Sequence, residues 1–415
     1  MMLRRRSALL GLAASWTLGR SSLALAAPSL RRDDPRFVVI LMRGALDGMA
    51  AVTPYGDPGL MALRRALVLP EPGQEGGLLD LGGYFGLHPA LAGLHALYGQ
   101  GQMLPVHAVA APYRTRSHFD AQDYLESGAD HRLTSGWLNR AVSALPGQNA
   151  RPEGLGLALG LDVPLLLRGP ARIGSYAPAG SQHPSDALYQ QIAQLNTHDP
   201  LTGPAFRNGL QARGFSDTAL ATAPGENATM TGAPGPGGAP SMGQANNRQD
   251  GFTRLASAAG VMLAQPDGPR VAALEIGGWD THAGQIAALR SPLSRLDAGI
   301  AALRDGLGDA WSHSVVLAMT EFGRTARMNG TGGTDHGTGA VAFLAGGAVK
   351  GGRVAGTWPG LRQSQLFDNR DLAPTTDLRS VIASVLCDHL HMPRSALGRV
   401  FPDGAPSPQA GLVAA

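Results

Sequence analysis

The sequence predicts an α/β fold, a doubly wound and mostly parallel sheet between helices. Three observations carry that expectation. Phe37–Met42, Val271–Ile276 and Ser314–Met319 are apolar runs of strand length, and continuous rather than alternating hydrophobicity means burial on both faces. Segments of helical spacing alternate with these runs. Each run also ends abruptly in glycine and polar residues, where an open α/β sheet binds its ligands.

Residues 1–26 read as an export signal. Arg4, Arg5 and Arg6 precede a short apolar stretch, and Ala24-Leu25-Ala26 forms an A-x-A site; the paired arginines favour the twin-arginine route to the periplasm or exterior. The remainder, 27–415, is expected to form a single domain. The leader contains four arginines and no acid, so subtracting four from the formal +3 leaves −1. Charge therefore gives no support to a nucleic-acid partner. No later run reaches the ~18 apolar residues of a membrane span, so no stable membrane insertion is expected once the signal is removed. Cys387 is the only cysteine, which rules out an intramolecular disulfide; its helically spaced surroundings suit a small core residue.

Taken in order, Phe37–Met42 is the first strand and delivers Asp47 just beyond its end. Residues 55–86, rich in Gly, Pro and Arg, predict a long surface excursion. His88-Pro89 begins a helix through Tyr98, with His88 and His95 as cap and surface residues, and Met103–Val109 is the next core strand. Directly after it, Thr115 or Ser117 stands at a helix start. A hydroxyl there is usually a cap, but it can also be a nucleophile beside an anion held by the helix N-terminus. Arg114, Arg116 and His118 surround it with potential cations suited to phosphate or sulfate.

The pattern loosens over 146–250. Leu155–Leu167 can supply one or two strands and Ser185–Asn196 a helix, whereas Ala221–Asn247 reads as a flexible surface loop. A helix over Phe252–Gln265 feeds the Val271 strand. Gln285–Gly306 is helical despite Pro292, and Val341–Ala345 is a further strand.

The strand ends thus offer Asp47, Asp280, His282, Glu321, Asp335 and His336. Mixed carboxylate and imidazole ligands suit zinc, manganese or iron. Two such divalent ions about 4 Å apart would clamp both oxygens of a displacement at phosphorus or sulfur. One or two ions are expected.

Ordered motifs carry a resemblance across almost the whole mature chain, among them Leu41-Met-Arg-Gly-Ala-Leu-Asp-Gly48, Tyr113-Arg-Thr-Arg-Ser-His-Phe-Asp-Ala-Gln-Asp123, Gly277-Gly-Trp-Asp-Thr-His282, Glu321-Phe-Gly-Arg-Thr325 and Gly333-Thr-Asp-His-Gly337. The sequence resembles the exported bacterial family known as domain of unknown function 1501, grouped with the alkaline phosphatase-like, or sulfatase-like, fold. That resemblance implies an early strand-end Asp, matched by Asp47. It also implies a Ser or Thr nucleophile, matched by Ser117 or Thr115, and an Asp/His pair, matched by Asp280 and His282. Two alignments remain for the rest: Asp335-His336 as the Asp-His pair, or Glu321 in that place with His336 as the late histidine.

The resulting expectation is a metal-dependent hydrolase acting on a small anionic ester or a polymer. Ser117 or Thr115 attacks phosphate or sulfate, and Arg116, Arg324 and Arg114 hold the anion. The alternative is a non-catalytic exported binding or assembly protein that keeps the fold and a structural metal. A metal-free esterase pairing Ser117 with His118 is disfavoured, because the G-x-S-x-G elbow is missing.

Overall fold

Eight strands form one sheet in the computed structural model, which describes residues 33–114, 116–145, 154–160, 162–177 and 243–414, with the side chains of 243–250 left aside. They are β1 (Arg36–Arg43), β2 (Met103–Ala110), β3 (Gly156–Leu159), β4 (Ile173–Tyr176), β5 (Val271–Gly277), β6 (Ser314–Met319), β7 (Ala340–Ala345) and β8 (Thr376–Asp377). Their order across the sheet is β8-β2-β7-β6-β1-β5-β3-β4. All pairings are parallel except the two made by β7. The predicted class, a mostly parallel sheet between helices, is what the chain adopts.

The register explains where the site lies. Met42 of β1 stands beside Ile276 of β5, and Leu41 beside Met319 of β6. The three central strands therefore end together, and the loops beginning at Gly44, Gly278 and Thr320 leave the sheet side by side.

Alternation along each strand splits the core in two. Phe37, Val39, Val271 and Val315 face one side, packing with Trp137, Leu138 and Val142 of α2 (Trp137–Ala144) and with Val381 and Ile382 of α5 (Leu378–Ser384). Val38, Ile40, Ala272 and Val316 face the other, against α3 (Gly243–Ala264) and α4 (Gln285–Leu307). At about 1.5–3 kcal/mol for each large apolar side chain fully buried, both faces contribute heavily to stability. Pro292 removes one helical hydrogen bond, yet α4 continues through it because Leu289, Leu293 and Leu296 lie buried on the sheet.

Several expectations need amending. β7 runs antiparallel, which a continuously apolar run does not reveal. Residues 55–86 are not only a surface excursion: Leu60 and Leu63 are buried, and Leu79–Asp80 and Gly86–Leu87 join Val52–Thr53 in a small antiparallel sheet. The end of the expected loop at 221–247 belongs to α3, which starts at Gly243. The strand β4 was not foreseen. Residues 1–26, Thr115, the helix over Ser185–Asn196 and most of 221–247 lie outside the described residues. Among those described, no helix is long and apolar enough to cross a membrane.

Candidate metal centre

Three loops and one helix start meet above the ends of β1, β5 and β6. Helix α1 (His118–Ser127) follows β2 and presents His118 in its first turn, with Ser117 as its N-cap residue. The loop after β5 carries Asp280 and His282. The loop after β6 carries Glu321 and Arg324 and returns with Asp335 and His336 before β7.

Local packing fixes each segment. Trp279 is fully buried and donates its indole N–H to Ile276 O at 2.8 Å, which pins the chain just before Asp280. Gly44 adopts φ +120°, and a Cβ there would lie 2.9 Å from Asp280 N; only glycine allows the end of β1 to press so close. The β6–β7 loop is clasped at its base, with Gly323 N donating to Thr338 O at 3.0 Å, Gly337 N to Gly323 O at 2.8 Å and Thr325 N to Asp335 O at 2.9 Å.

The side chains converge on one point. His118 Nε2 and His282 Nε2 each lie 3.0 Å from His336 Nε2. Asp280 Oδ1 is 3.0 Å from His282 Nε2, 3.3 Å from His336 Nε2 and 3.7 Å from His118 Nε2. Behind this face, each Nδ1 meets an oxygen: Glu321 Oε1 at 2.8 Å from His118, the Arg116 carbonyl at 2.9 Å from His336, and Asp335 Oδ1 at 3.2 Å from His282. A backbone carbonyl and ionised carboxylates only accept, so they draw the imidazole protons to Nδ1 and leave Nε2 lone pairs turned inward. Lone pairs and a carboxylate oxygen facing one another at such distances repel unless positive charge stands between them. His118, Asp280 and His336 therefore fit a divalent cation, and two imidazoles with one carboxylate suit zinc, manganese or iron, while His282 Nε2 stands beside them and takes a bond from Arg324.

Charge at the site is arranged accordingly. Burial would raise the Asp280 carboxyl, but the hydrogen bond and charge of Arg324, with help from His282 and His336, hold it below the usual carboxylate range. Burial likewise opposes ionisation of Glu321, and its bonds from His118, Gln122 and Thr320 reverse the effect. Asp335 is held low by Asn329 first and His282 after it. The Glu321 hydrogen bond raises His118, whereas burial and the nearby charges of His118 and Arg324 lower His336.

The predicted residues divide on this geometry. Asp280, His282 and His336 come together. His118 joins them as a donor, a role that the sequence reading had not given it. The available signal was Gln122, four residues on and on the same helical face, which also reaches Glu321. Glu321 and Asp335 are not on the inward face; each stands behind a histidine.

Asp47 is absent from the group altogether. It caps the helix Gly48–Ala51 through Met49 N and Ala50 N, and is only 1% exposed. Arg64 Nη1 sits 2.9 Å from both of its oxygens, and Gln285 Nε2 donates to Oδ2 at 2.7 Å. A guanidinium occupies the side on which a metal would have to bind. Burial would raise this carboxyl and Arg64 keeps it low.

The expected anion-binding arginines are turned to other partners. Arg324 is buried and donates to the carbonyls of Ala45, Thr334, Gly44 and Trp279, to Asp280 Oδ1, and to His282 Nε2 at 3.3 Å. It orients the Asp280–His282 segment. Arg116 pairs with buried Asp371 at 2.7 Å, and Arg114 donates to the carbonyls of Ala111 and Tyr113. Ser117 lies between two residues that touch the cluster, Arg116 through its carbonyl and His118 through its ring.

Comparison with known proteins adds family and little else. Among solved structures the chain is similar to a 2-O GAG sulfatase, at 13% identity and TM-score 0.35 over 91% of this chain and 76% of that one. It is also similar to the alkaline phosphatase from the Antarctic bacterium TAB5, at 12% identity and TM-score 0.34 over 75% and 92%. A third likeness is to the C-terminal periplasmic domain of EcEptC from Escherichia coli in complex with Zn, at 8% identity and TM-score 0.29 over 75% and 73%. Likenesses this distant assign no residue a role. A search of curated proteins gives no match. The family comparison is decisive, because residues 89–400, well over half of the chain, match one family: the chain belongs to the family described as Protein of unknown function (DUF1501).

Proposed function

We propose that this protein is an exported metal-dependent hydrolase of phosphate or sulfate esters. The observation that carries the reading is the convergence of His118, His282 and His336 Nε2 with Asp280 Oδ1, each imidazole held from behind by an acceptor. Of these, His118, Asp280 and His336 would hold one divalent ion, which when bound would supply Lewis acidity and neutralise charge on an ester anion.

The chain's own groups do the rest. Ser117, or Thr115, attacks phosphorus or sulfur through its hydroxyl oxygen as the bond to the ester oxygen breaks; the alcohol leaves carrying the hydroxyl proton, and water then cleaves the enzyme ester. The first-turn N–H groups of α1 and its macrodipole favour the anion at that end. Arg324 keeps Asp280 and His282 in place and sets a fixed positive charge beside them. Asp47, neutralised by Arg64, supports the loop as a cap.

A second reading, an exported binding or assembly protein with a structural metal, draws on the internal pairing of Arg116 and Arg324, the two cations best placed for an anion. One experiment separates the two. The mature protein, purified from its export compartment, is analysed for metal and assayed on aryl phosphates and aryl sulfates beside Asp280→Ala and Ser117→Ala/Thr115→Ala. The hydrolase reading expects metal and turnover in the wild type, loss of both in the first variant, and loss of turnover alone in the second. Full turnover in Asp280→Ala would sink it. Metal without turnover in any form would select the binding protein.

A further inference from the structure

We propose that Arg43, Gln122 and Glu321 form a one-directional hydrogen-bond relay that fixes the proton of His118 on Nδ1, leaving Nε2 as the donor atom of the site. Glu321 is then a positioning residue rather than a ligand. The inference rests on the metal reading above and goes further, since it derives the state of one ligand from groups that do not face the centre.

The direction of the relay follows from which groups can only donate. Arg43, at the end of β1, donates from Nη1 to Gln122 Oε1 at 3.1 Å. A guanidinium has no acceptor, so the oxygen of Gln122 must face it. The amide nitrogen is thereby turned to Glu321 Oε1, 3.1 Å away. The backbone N–H of Gly44 reaches the same oxygen at 2.9 Å. Glu321 Oε1 receives two obligate donors, and His118 Nδ1 at 2.8 Å must be the third. The other oxygen, Oε2, accepts from Thr320 Oγ1 at 2.8 Å.

The far end is equally constrained. Arg43 Nη2 bonds buried Glu126 at 2.8 Å, whose second oxygen takes the Leu166 N–H at 2.8 Å. His118 and Gln122 share a face of α1 because four residues bring side chains into line. One carboxylate can therefore serve both. No member of the relay is free to reverse without stranding a donor against a donor.

The test uses the metal-free mature chain, with nitrogen-15 imidazole spectra at about pH 9, where a neutral ring prevails, followed by zinc titration. The relay expects His118 as the Nδ1–H tautomer in the wild type. Glu321→Leu removes the acceptor, so it should let the Nε2–H form appear and weaken zinc binding by ~10-fold or more, in the range seen for partners behind a metal-bound histidine. Gln122→Met leaves the carboxylate to accept, so it should keep Nδ1–H while loosening Glu321 and lowering zinc affinity less. Gln122 is partly exposed, so the zinc affinity of its variant decides the matter if Glu321→Leu fails to fold. An Nε2–H tautomer in the wild type, or an unchanged zinc affinity in Gln122→Met, overturns the relay. A wild-type chain that binds no zinc overturns the metal reading instead, and the tautomer still decides the relay.

Discussion

Two groups of histidines divide the molecule, and the contrast between them is in where each keeps its proton. His88, His107 and His389 are buried in the body of the fold. His107 Nδ1 accepts from Ala108 N while Nε2 lies 2.9 Å from Val52 O, His88 Nδ1 accepts from Ala90 N, and His389 Nε2 lies 2.9 Å from Arg36 O. Each of these geometries calls for a proton on Nε2. His118, His282 and His336 are partly exposed, and every one of them meets an acceptor at Nδ1. Burial alone would have ranked the first group as the more unusual. The tautomer, imposed by the neighbouring backbone or carboxylate, separates rings that finish a core from rings that are turned on a common point.

The largest effect expected from this contrast is on acid stability. Burial pushes the ring pKa of His88, His107 and His389 down to about 4 from an ordinary 6.5. Between those values the unfolded chain binds protons that the folded chain refuses, so stability must fall as pH drops from 6.5 towards 4. Each ring contributes up to about 3 kcal/mol, giving several kcal/mol together. Urea midpoints measured across that window check the sign; a flat profile would dissolve the distinction.

Next in size is the pair that separates Asp47 from Asp280. Replacing Arg64 by Met leaves Asp47 as an unpaired buried carboxylate, at a cost of about 3–5 kcal/mol, while metal content should be retained. Denaturation and elemental analysis of the same sample read both. A loss of metal with little loss of stability would return Asp47 to the centre.

The third effect concerns ligands directly. His336→Ala should weaken zinc binding by more than ~100-fold, because it removes the ring that the other two histidines face. Calorimetric titration measures it. Smallest of all, His95→Ala on the surface should change stability by no more than ~0.5 kcal/mol and leave zinc binding intact, since the contacts of His95, with Asp80 O and the ring of Tyr98, lie on the outside of the fold.

Much of this architecture was legible in the sequence because it depends on local pattern. Continuous apolar runs gave the central strands, and their abrupt polar ends located Asp280, His282 and His336. What escaped was long-range. The run at Ala340–Ala345 is buried on both faces whichever way it points, so its direction was not encoded in hydrophobicity. Glu321 sits at a strand end like a ligand, but His118, arriving from a helix about 200 residues earlier, stands in front of it. Asp47 looked like the first ligand until Arg64, from a segment of weak periodicity, came to lie against it.

The clasp at the base of the β6–β7 loop has a consequence for the entropy of ordering the centre. Loop closure costs only about 0.6 kcal/mol more for each doubling of length, but a long unclasped excursion would leave Arg324 and His336 free to wander at its middle. With Gly323 tied to Gly337 and Thr338, and Thr325 to Asp335, both residues lie at the root of the excursion and not at its tip. A Cβ on Gly337 would stand 2.3 Å from the carbonyl carbon of Arg324, so the two strands of the clasp can close only backbone to backbone. Two members of the centre are thus ordered by the same few bonds that let the chain turn back into the sheet, and little freedom is left to lose when a ligand arrives.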